Sequence, residues 1–411
     1  MIVSKRMKDL GIFMSGLTYS PTDLSNKDEG ILVLRSSNIQ NGKLVYADNV
    51  YVNCHLDTNQ MVKENDVLIC SRNGSARLVG KTAIIPYGLK ATWGAFMMLF
   101  RPYKKNSNYL NYVFSSQIEK YKGMFSTSTI NQLTNSMLGN MFIDYEEDGN
   151  VQQRMVTYLD TKLSEIDHQV SLLTSKRDAY LRLKKSIINH AVTRGLNPNV
   201  KMKDSGIEWI GEVPEHWEVK RMKDICDYIS RGSTPDYVDE DYQKVMNQGA
   251  FSKGWIDESN IRYTKVGKSG AHIKKGDLLM ASTGGGVLGK ILYFDSIDEN
   301  YYADSHVTIM RNSKGINSMK FLFYHFSLRF DEINATMTKG STNQTELQRY
   351  ELLSHKVAIP PLPEQHAIAT YLDDKCAKID TIVSNLGKQI SRYADLKRSL
   401  IDEVITGKRA V

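Results

Sequence analysis

The chain is written twice. Arg6-Met7-Lys8-Asp9 returns as Arg221-Met222-Lys223-Asp224, and Tyr158-Leu159-Asp160 returns as Tyr371-Leu372-Asp373. Ile166-Asp167 returns as Ile379-Asp380, and Leu183-Lys184 with Ser186 returns as Leu396-Lys397 with Ser399. The last three matches share an offset of 213 residues and the first has 215, so little net insertion separates the copies. Weaker matches lie between them, Asp66-Val67-Leu68 with Asp277-Leu278-Leu279 and Gly80-Lys81 with Gly289-Lys290. Matches that keep both order and offset are a duplication, and the period is far too long for a solenoid. The 411 residues therefore divide into two modules of about 200 residues, an ordinary domain size.

Each copy begins β-rich and ends helical. In the first copy Ile31–Leu34, Val67–Cys70 and Thr82–Pro86 read as strands, with turns expected at Asn41-Gly42 and Asn73-Gly74. Residues 225–360 repeat the style, and no long amphipathic helix dominates either stretch. The segment 152–193 then lacks both proline and glycine. At three- and four-residue steps it reads Val156, Leu159, Leu163, Ile166, Val170, Leu173, Arg177, Tyr180, Lys184, Ile187, Ala191. Its copy reads Ala369, Leu372, Cys376, Ile379, Val383, Leu386, Ile390, Tyr393, Lys397, Leu400, Val404. That is the apolar seam of a coiled coil, in the same phase twice, with Tyr and Lys at equivalent places. Gly195 and Pro198 close the first helix, and Pro360-Pro361-Leu362-Pro363 opens the second. The expected fold class is α+β: two α+β domains, residues 1–145 and 201–360, separated by a pair of long antiparallel coiled-coil helices, residues 146–200 and 361–411, in a pseudo-two-fold repeat.

Composition narrows the function only weakly. The formal charge is +7 and the isoelectric point about 8.9, which permits nucleic-acid binding without demanding it. The longest dense apolar stretch, near Trp93–Phe100, is far short of a membrane span. The first ten residues are charged and lack the apolar core of a leader, so a cytoplasmic chain is expected. Cys54, Cys70, Cys226 and Cys376 form no CxxC pair, and no HxxxH pair suggests a metal.

Enzyme motifs fail on inspection. Gly284 to Gly289-Lys290 fits GxxxxGK, but Ile291 stands where a magnesium-binding hydroxyl is needed. The copy from Gly74 to Gly80-Lys81-Thr82 has the hydroxyl but one residue too many. Both precede β-like runs rather than a helix whose amino terminus could hold phosphate. Asn197-Pro198-Asn199-Val200 lacks the second proline and aromatic of an adenine methyltransferase loop. Pro235-Asp236 has no (D/E)xK within thirty residues, and Asp304-Ser305-His306 reads as a loop or strand edge rather than a triad. No catalytic residue and no metal site is expected. A duplicated, spaced, basic chain without an active site suits reading two separated stretches of one duplex.

Two strings then become recognisable. DSGIEWIGEVPEHW at 204–217, followed by Glu218-Val219-Lys220-Arg221-Met222-Lys223, resembles the opening of target-recognition domains in the specificity (S) subunits of type I restriction–modification systems. IPPLPEQHAIATYLD at 359–373 resembles that family's junction between domain and helix. The resemblance implies a non-catalytic subunit that binds double-stranded DNA at an asymmetric bipartite target. It implies two methyltransferase (M) subunits docked on the helical regions and restriction (R) subunits in the full complex. No cofactor is implied on this chain; S-adenosylmethionine, ATP and magnesium would be held by the partner subunits. The first copy departs from the pattern, since it has no counterpart of 204–217 and carries Glu146-Glu147-Asp148 where the second has prolines.

Base reading needs donors and acceptors, and positioning needs cations on phosphates. In the first module the candidates are Arg35, Ser37, Asn38, Arg72, Asn73, Ser75, Arg77 and Lys81, with the loop residues Ser128, Thr129, Asn131 and Gln132. In the second they are Asn247, Gln248, Lys253, Lys274, Lys275, Thr283, Lys290 and Lys339, with Ser341, Thr342, Asn343 and Gln344. The tryptophans, Trp93, Trp209, Trp217 and Trp255, are expected in cores or interfaces. The competing reading is a duplicated coiled-coil adaptor that binds proteins rather than DNA.

Overall fold

A computed structural model describes residues 2–104, 106–122, 131–208, 210–239, 242–265, 269–340 and 345–411. The chain divides into two compact units, Met1–Thr174 with Lys388–Val411, and Ser175–Gly387.

In the first unit the uninterrupted apolar run Val67–Cys70 is buried at every position, as a strand covered on both faces must be. It sits inside a four-stranded antiparallel sheet ordered Thr82–Ile84, Val67–Cys70, Met97–Pro102, Gly11–Ser15. A second sheet runs Ala91–Trp93, Ile31–Leu34, Val50–Val52, Leu24–Ser25, its first pair parallel. The two-residue hairpin expected at Asn41-Gly42 is present: both have positive φ, 51° and 75°, between Ile39–Gln40 and Lys43–Leu44. Two positive φ angles define the turn that matches strand twist, and Asn-Gly tolerates both. Arg72–Asn73 is a short strand rather than the expected turn, paired to Asn131–Gln132. Ser107–Lys122 is a helix that the sequence reading did not single out, though it does not dominate the module. Its Tyr109, Leu110, Val113 and Phe114 are buried in the core.

The second unit repeats this plan. Leu278–Ala281, again wholly buried, lies in the sheet Ile291–Tyr293, Leu278–Ala281, Val307–Arg311, Tyr228–Arg231. The second sheet runs Tyr301–Ala303, Gln243–Met246, Arg262–Thr264, Tyr237–Val238, its first pair again parallel. Each unit also repeats one buried ion pair. Arg101 donates from Nε and Nη2 to Asp66 at 2.8 and 2.6 Å, and Arg311 donates from the same atoms to Asp277 at 2.7 and 2.6 Å. The second unit adds a hairpin, Met202–Asp204 with Glu212–Pro214, formed by the string that lacks a first copy.

The two long helices are Gly149–Arg194 and Leu362–Ile405. In the first unit, Val156, Leu159, Leu163 and Ile166 share a core with Leu400, Val404 and Ile405. Lys397 bonds Asp167 at 2.6 Å, and the guanidinium of Arg409 reaches the Tyr158 hydroxyl, so the segments are antiparallel. In the second unit Ile188, Ala191 and Val192 share a core with Ile368, Leu372 and Cys376. There Lys184 bonds both oxygens of Asp380 at 2.7 Å. The two ion pairs are copies of each other, 213 residues apart at both ends, which explains the lysine in each seam. No seam residue is exposed; Val170, Leu173, Tyr180, Ile187, Val383, Ile390 and Tyr393 are half-buried. Each helix is followed by a glycine at φ 74°, Gly195 and Gly407, the left-handed position that ends helices.

Candidate nucleic-acid interface

The corresponding loops in the two units are identified by their backbone bonds. Ser71 N–H donates to Phe96 O, and Ser282 N–H donates to His306 O. Leu133 N–H donates to Ser71 O, and Leu347 N–H donates to Ser282 O. Gly94 N–H donates to Leu34 O, and Asp304 N–H donates to Met246 O. Arg72 therefore corresponds to Thr283, Phe96 to His306, and Ser36 to Gln248. Gln132 pairs with Arg72 and Glu346 pairs with Thr283, so those two correspond as well.

In the first unit the Arg72 guanidinium lies over the ring of Phe96, 5.2 Å from its centroid. Phe96 is 59% exposed. Asn73 joins this loop to the 36–38 turn by donating to Ser36 Oγ at 3.2 Å, and its own carbonyl accepts the Ser75 N–H. Arg35 is ion-paired to Asp48 at 2.7 Å, while its Nε and the Ser37 hydroxyl are buried without partners among the described residues. They border an open cavity of about 620 Å³ beside Phe96. Exposed Gln132 lies on the paired strand.

In the second unit Thr283 Oγ1 lies 2.8 Å from His306 Nδ1 and donates to Gln248 Oε1 at 3.3 Å. Glu346 is reached by Arg231 at 3.4 Å. Exposed Lys339 is paired to Glu346 in the strands Thr338–Lys339 and Glu346–Leu347. Lys253 is exposed but bonded to Asp257 at 2.7 Å, and with Ser259 it draws that carboxyl down to about 2.

Several expected contact residues have other duties. Asn38 is fully buried; its amide accepts Arg35 N–H and donates to Val45 O and Asn49 Oδ1. Asn247 accepts Ala250 N–H and donates to Asn260 O. Both hold turns, and the buried Asn38 amide is not left for a base. Lys290 donates to Ser252 O at 2.7 Å. Lys274 and Lys275 precede the strand Leu278–Ala281, at the end opposite Thr283, and line a different cavity with Arg311, Lys320 and His366. Arg77 and Lys81 border a cavity of about 780 Å³ with Lys397, Arg398, Asp160 and Asp167, on the helix side of the first unit. Ser128, Thr129, Ser341, Thr342, Asn343 and Gln344 lie outside the described residues, as does the side chain of Asn131. Phe96, His306 and Glu346 were not foreseen. The matches at 66–68 and 80–81 would have aligned Ser71 with Ser282, but nothing in the sequence places residue 96 beside residue 72.

Trp93 and Trp217 are buried, Trp255 is exposed, and Trp209 lies outside the described residues. The Gly284–Lys290 string joins two strands of one sheet rather than opening a helix. Asp304 accepts the backbone N–H of His306, not its ring. Among the described residues no helix is long and apolar enough to cross a membrane, and no group of three metal-ligating side chains converges.

Fold and loops thus define a duplicated α+β protein whose copies share a scaffold and a helix pairing but carry different surface chemistry. Residues 214–392 match the family described as the type I restriction modification DNA specificity domain. The chain is 23% identical over 416 residues to the type I restriction enzyme EcoKI specificity subunit of Escherichia coli (strain K12), covering 96% of this chain and 86% of that one. The StySPI specificity subunit of Salmonella potsdam is 23% identical over 414 residues, with the same coverage. A solved chain from work on complex assembly and conformational transition of the type I R-M system superposes with a TM-score of 0.73 at 14% identity, covering 99% of this chain and 98% of that one. The chain is thus similar to type I restriction–modification specificity subunits along nearly its whole length, with the family match itself on residues 214–392.

Proposed function

We propose that this chain reads double-stranded DNA for a type I restriction–modification complex, at an asymmetric target of two half-sites, one per module. It does no chemistry itself. It brings two methyltransferase subunits and the restriction subunits to the site, and S-adenosylmethionine, ATP and magnesium are used by those partners. One observation carries the reading: two copies of one scaffold present different side chains at corresponding loop positions, half-buried Arg72 with exposed Phe96 and Gln132 against half-buried Thr283 with exposed His306 and Glu346. A shared scaffold with unlike loops is what an asymmetric target needs, because contacts to base edges specify while contacts to phosphates only position.

The paired helices set the length of the unread spacer. Inserting seven residues into each adds about 10 Å of helix, so the spacer in the methylated consensus should lengthen by about 3 base pairs. Genomic methylation mapped with the wild-type and the lengthened chain tests this. Methylation independent of the chain refutes the recognition role, and an unchanged spacer refutes the ruler. An adaptor that binds only proteins would give no salt-sensitive DNA binding by the assembled complex.

A further inference from the structure

The two modules can be superposed residue by residue at the ends of their central strands, and the chemistry there differs in kind. Arg72 brings a fork of donors that finds no carboxylate among the described residues and lies over an exposed ring, 5.2 Å from its centroid. Its counterpart Thr283 is short, and is tied to His306 and Gln248. Stacking on an aromatic face fixes the plane of a guanidinium while leaving its N–H edge open. A planar, pre-oriented pair of donors matches the two acceptors, O6 and N7, that guanine shows in the major groove. A phosphate can accept the same fork, but it carries no base identity, so a change of consensus at one position separates the two contacts. Arg35, the other arginine bordering this surface, is already bonded to Asp48.

We propose that Arg72, oriented by Phe96, reads one guanine in the half-site of the first module, and that Thr283 with His306 reads the corresponding place in the other half-site by a different pattern of donors and acceptors. This rests on the recognition role proposed above and deepens it by naming the residues that make the target asymmetric. Arg72 touches the base; Phe96 is a positioning residue.

The test is the methylated consensus produced by the full chain assembled with its methyltransferase partner, for wild type, Arg72→Lys, Phe96→Leu and Thr283→Val. Arg72→Lys keeps the charge and loses the fork. It should reduce preference for guanine at one position of one half-site by roughly ten- to hundredfold, with the other half-site unchanged. Phe96→Leu should relax the same position. Thr283→Val should alter one position in the opposite half-site only. Thermal midpoints and yields of complex matching wild type exclude misfolding as the cause. A consensus unchanged by Arg72→Lys, or uniform loss of binding restored by lysine, overturns the assignment while leaving the recognition role intact. Wild-type methylation that does not depend on the chain overturns both.

Discussion

The two modules share the same strand order, the same parallel pair and the same buried Arg–Asp pair, yet their interiors and loops differ. Beside the scaffold the first module packs Tyr109 edge-on to Tyr145, at 5.7 Å between centroids. The second packs His325 and His355 against Phe326, with their Nε2 atoms 3.4 Å apart. What the modules keep is what fixes topology: a buried apolar strand and a cation that neutralises the carboxylate at its foot. What they vary is what topology does not need. A scaffold specified by so few positions leaves its loops free to diverge.

That equivalence can be broken most sharply at the ion pair. Asp66 and Asp277 are 2% and 1% exposed. Asp66→Ala leaves a half-buried guanidinium without its carboxylate and should cost about 3 kcal/mol, seen as faster hydrogen exchange through the first module alone. Asp277→Ala should do the same to the second. A large difference between them would mean that like geometry conceals unlike energetics.

Acid should separate the modules next. Burial, then the neighbouring His355 and Arg329, hold the His325 imidazole far below its ordinary range. Burial and Arg329 bring His355 down to about 4. Both depressions favour the neutral ring in the fold. The unfolded chain therefore takes up protons first as pH falls below about 6.5, and stability is lost from there down to about 4. The loss from His355 alone is on the order of 3 kcal/mol. The first module's histidines, His55 and His168, are exposed. Hydrogen exchange at pH 7 and pH 4.5 should show residues 319–359 loosening more than residues 97–145, and His355→Phe should reduce the difference. Equal loosening would sink the idea.

The smallest effect compares the glycines after the two helices. A methyl on Gly195 would lie 2.9 Å from Glu364 Oε1, and one on Gly407 would lie 2.9 Å from Ile2 Cδ1. Glu364 is held by His216 and Trp217, whereas an isoleucine methyl can turn aside. Gly195→Ala should cost about 1–2 kcal/mol and Gly407→Ala about 1 kcal/mol; equal losses in thermal melts would show that the backbone strain, the same at both sites, decides rather than the neighbour.

The duplication, the central strands and both long helices were legible because each is a repeating apolar pattern. Contact residues were harder, because the groups that read bases also build turns. Asn38 and Asn247 have suitable chemistry, but burial and the backbone consume it. Lys290 is spent on a carbonyl contributed from 38 residues away. Phe96 escaped for the opposite reason: an aromatic beside a strand reads as core, and only the fold brings it under Arg72.

The first unit is closed by residues 388–411, whereas the second is one unbroken segment, 175–387. On the ribosome, where synthesis runs from the amino terminus, the second module can complete its core while the first still waits. Leu400, Val404 and Ile405 emerge after the whole of the second unit, and they complete the core of the unit that precedes it. Until then Val156, Leu159 and Leu163 remain uncovered, a window in which a chaperone or a neighbouring nascent chain could bind. The module made first is the one finished last.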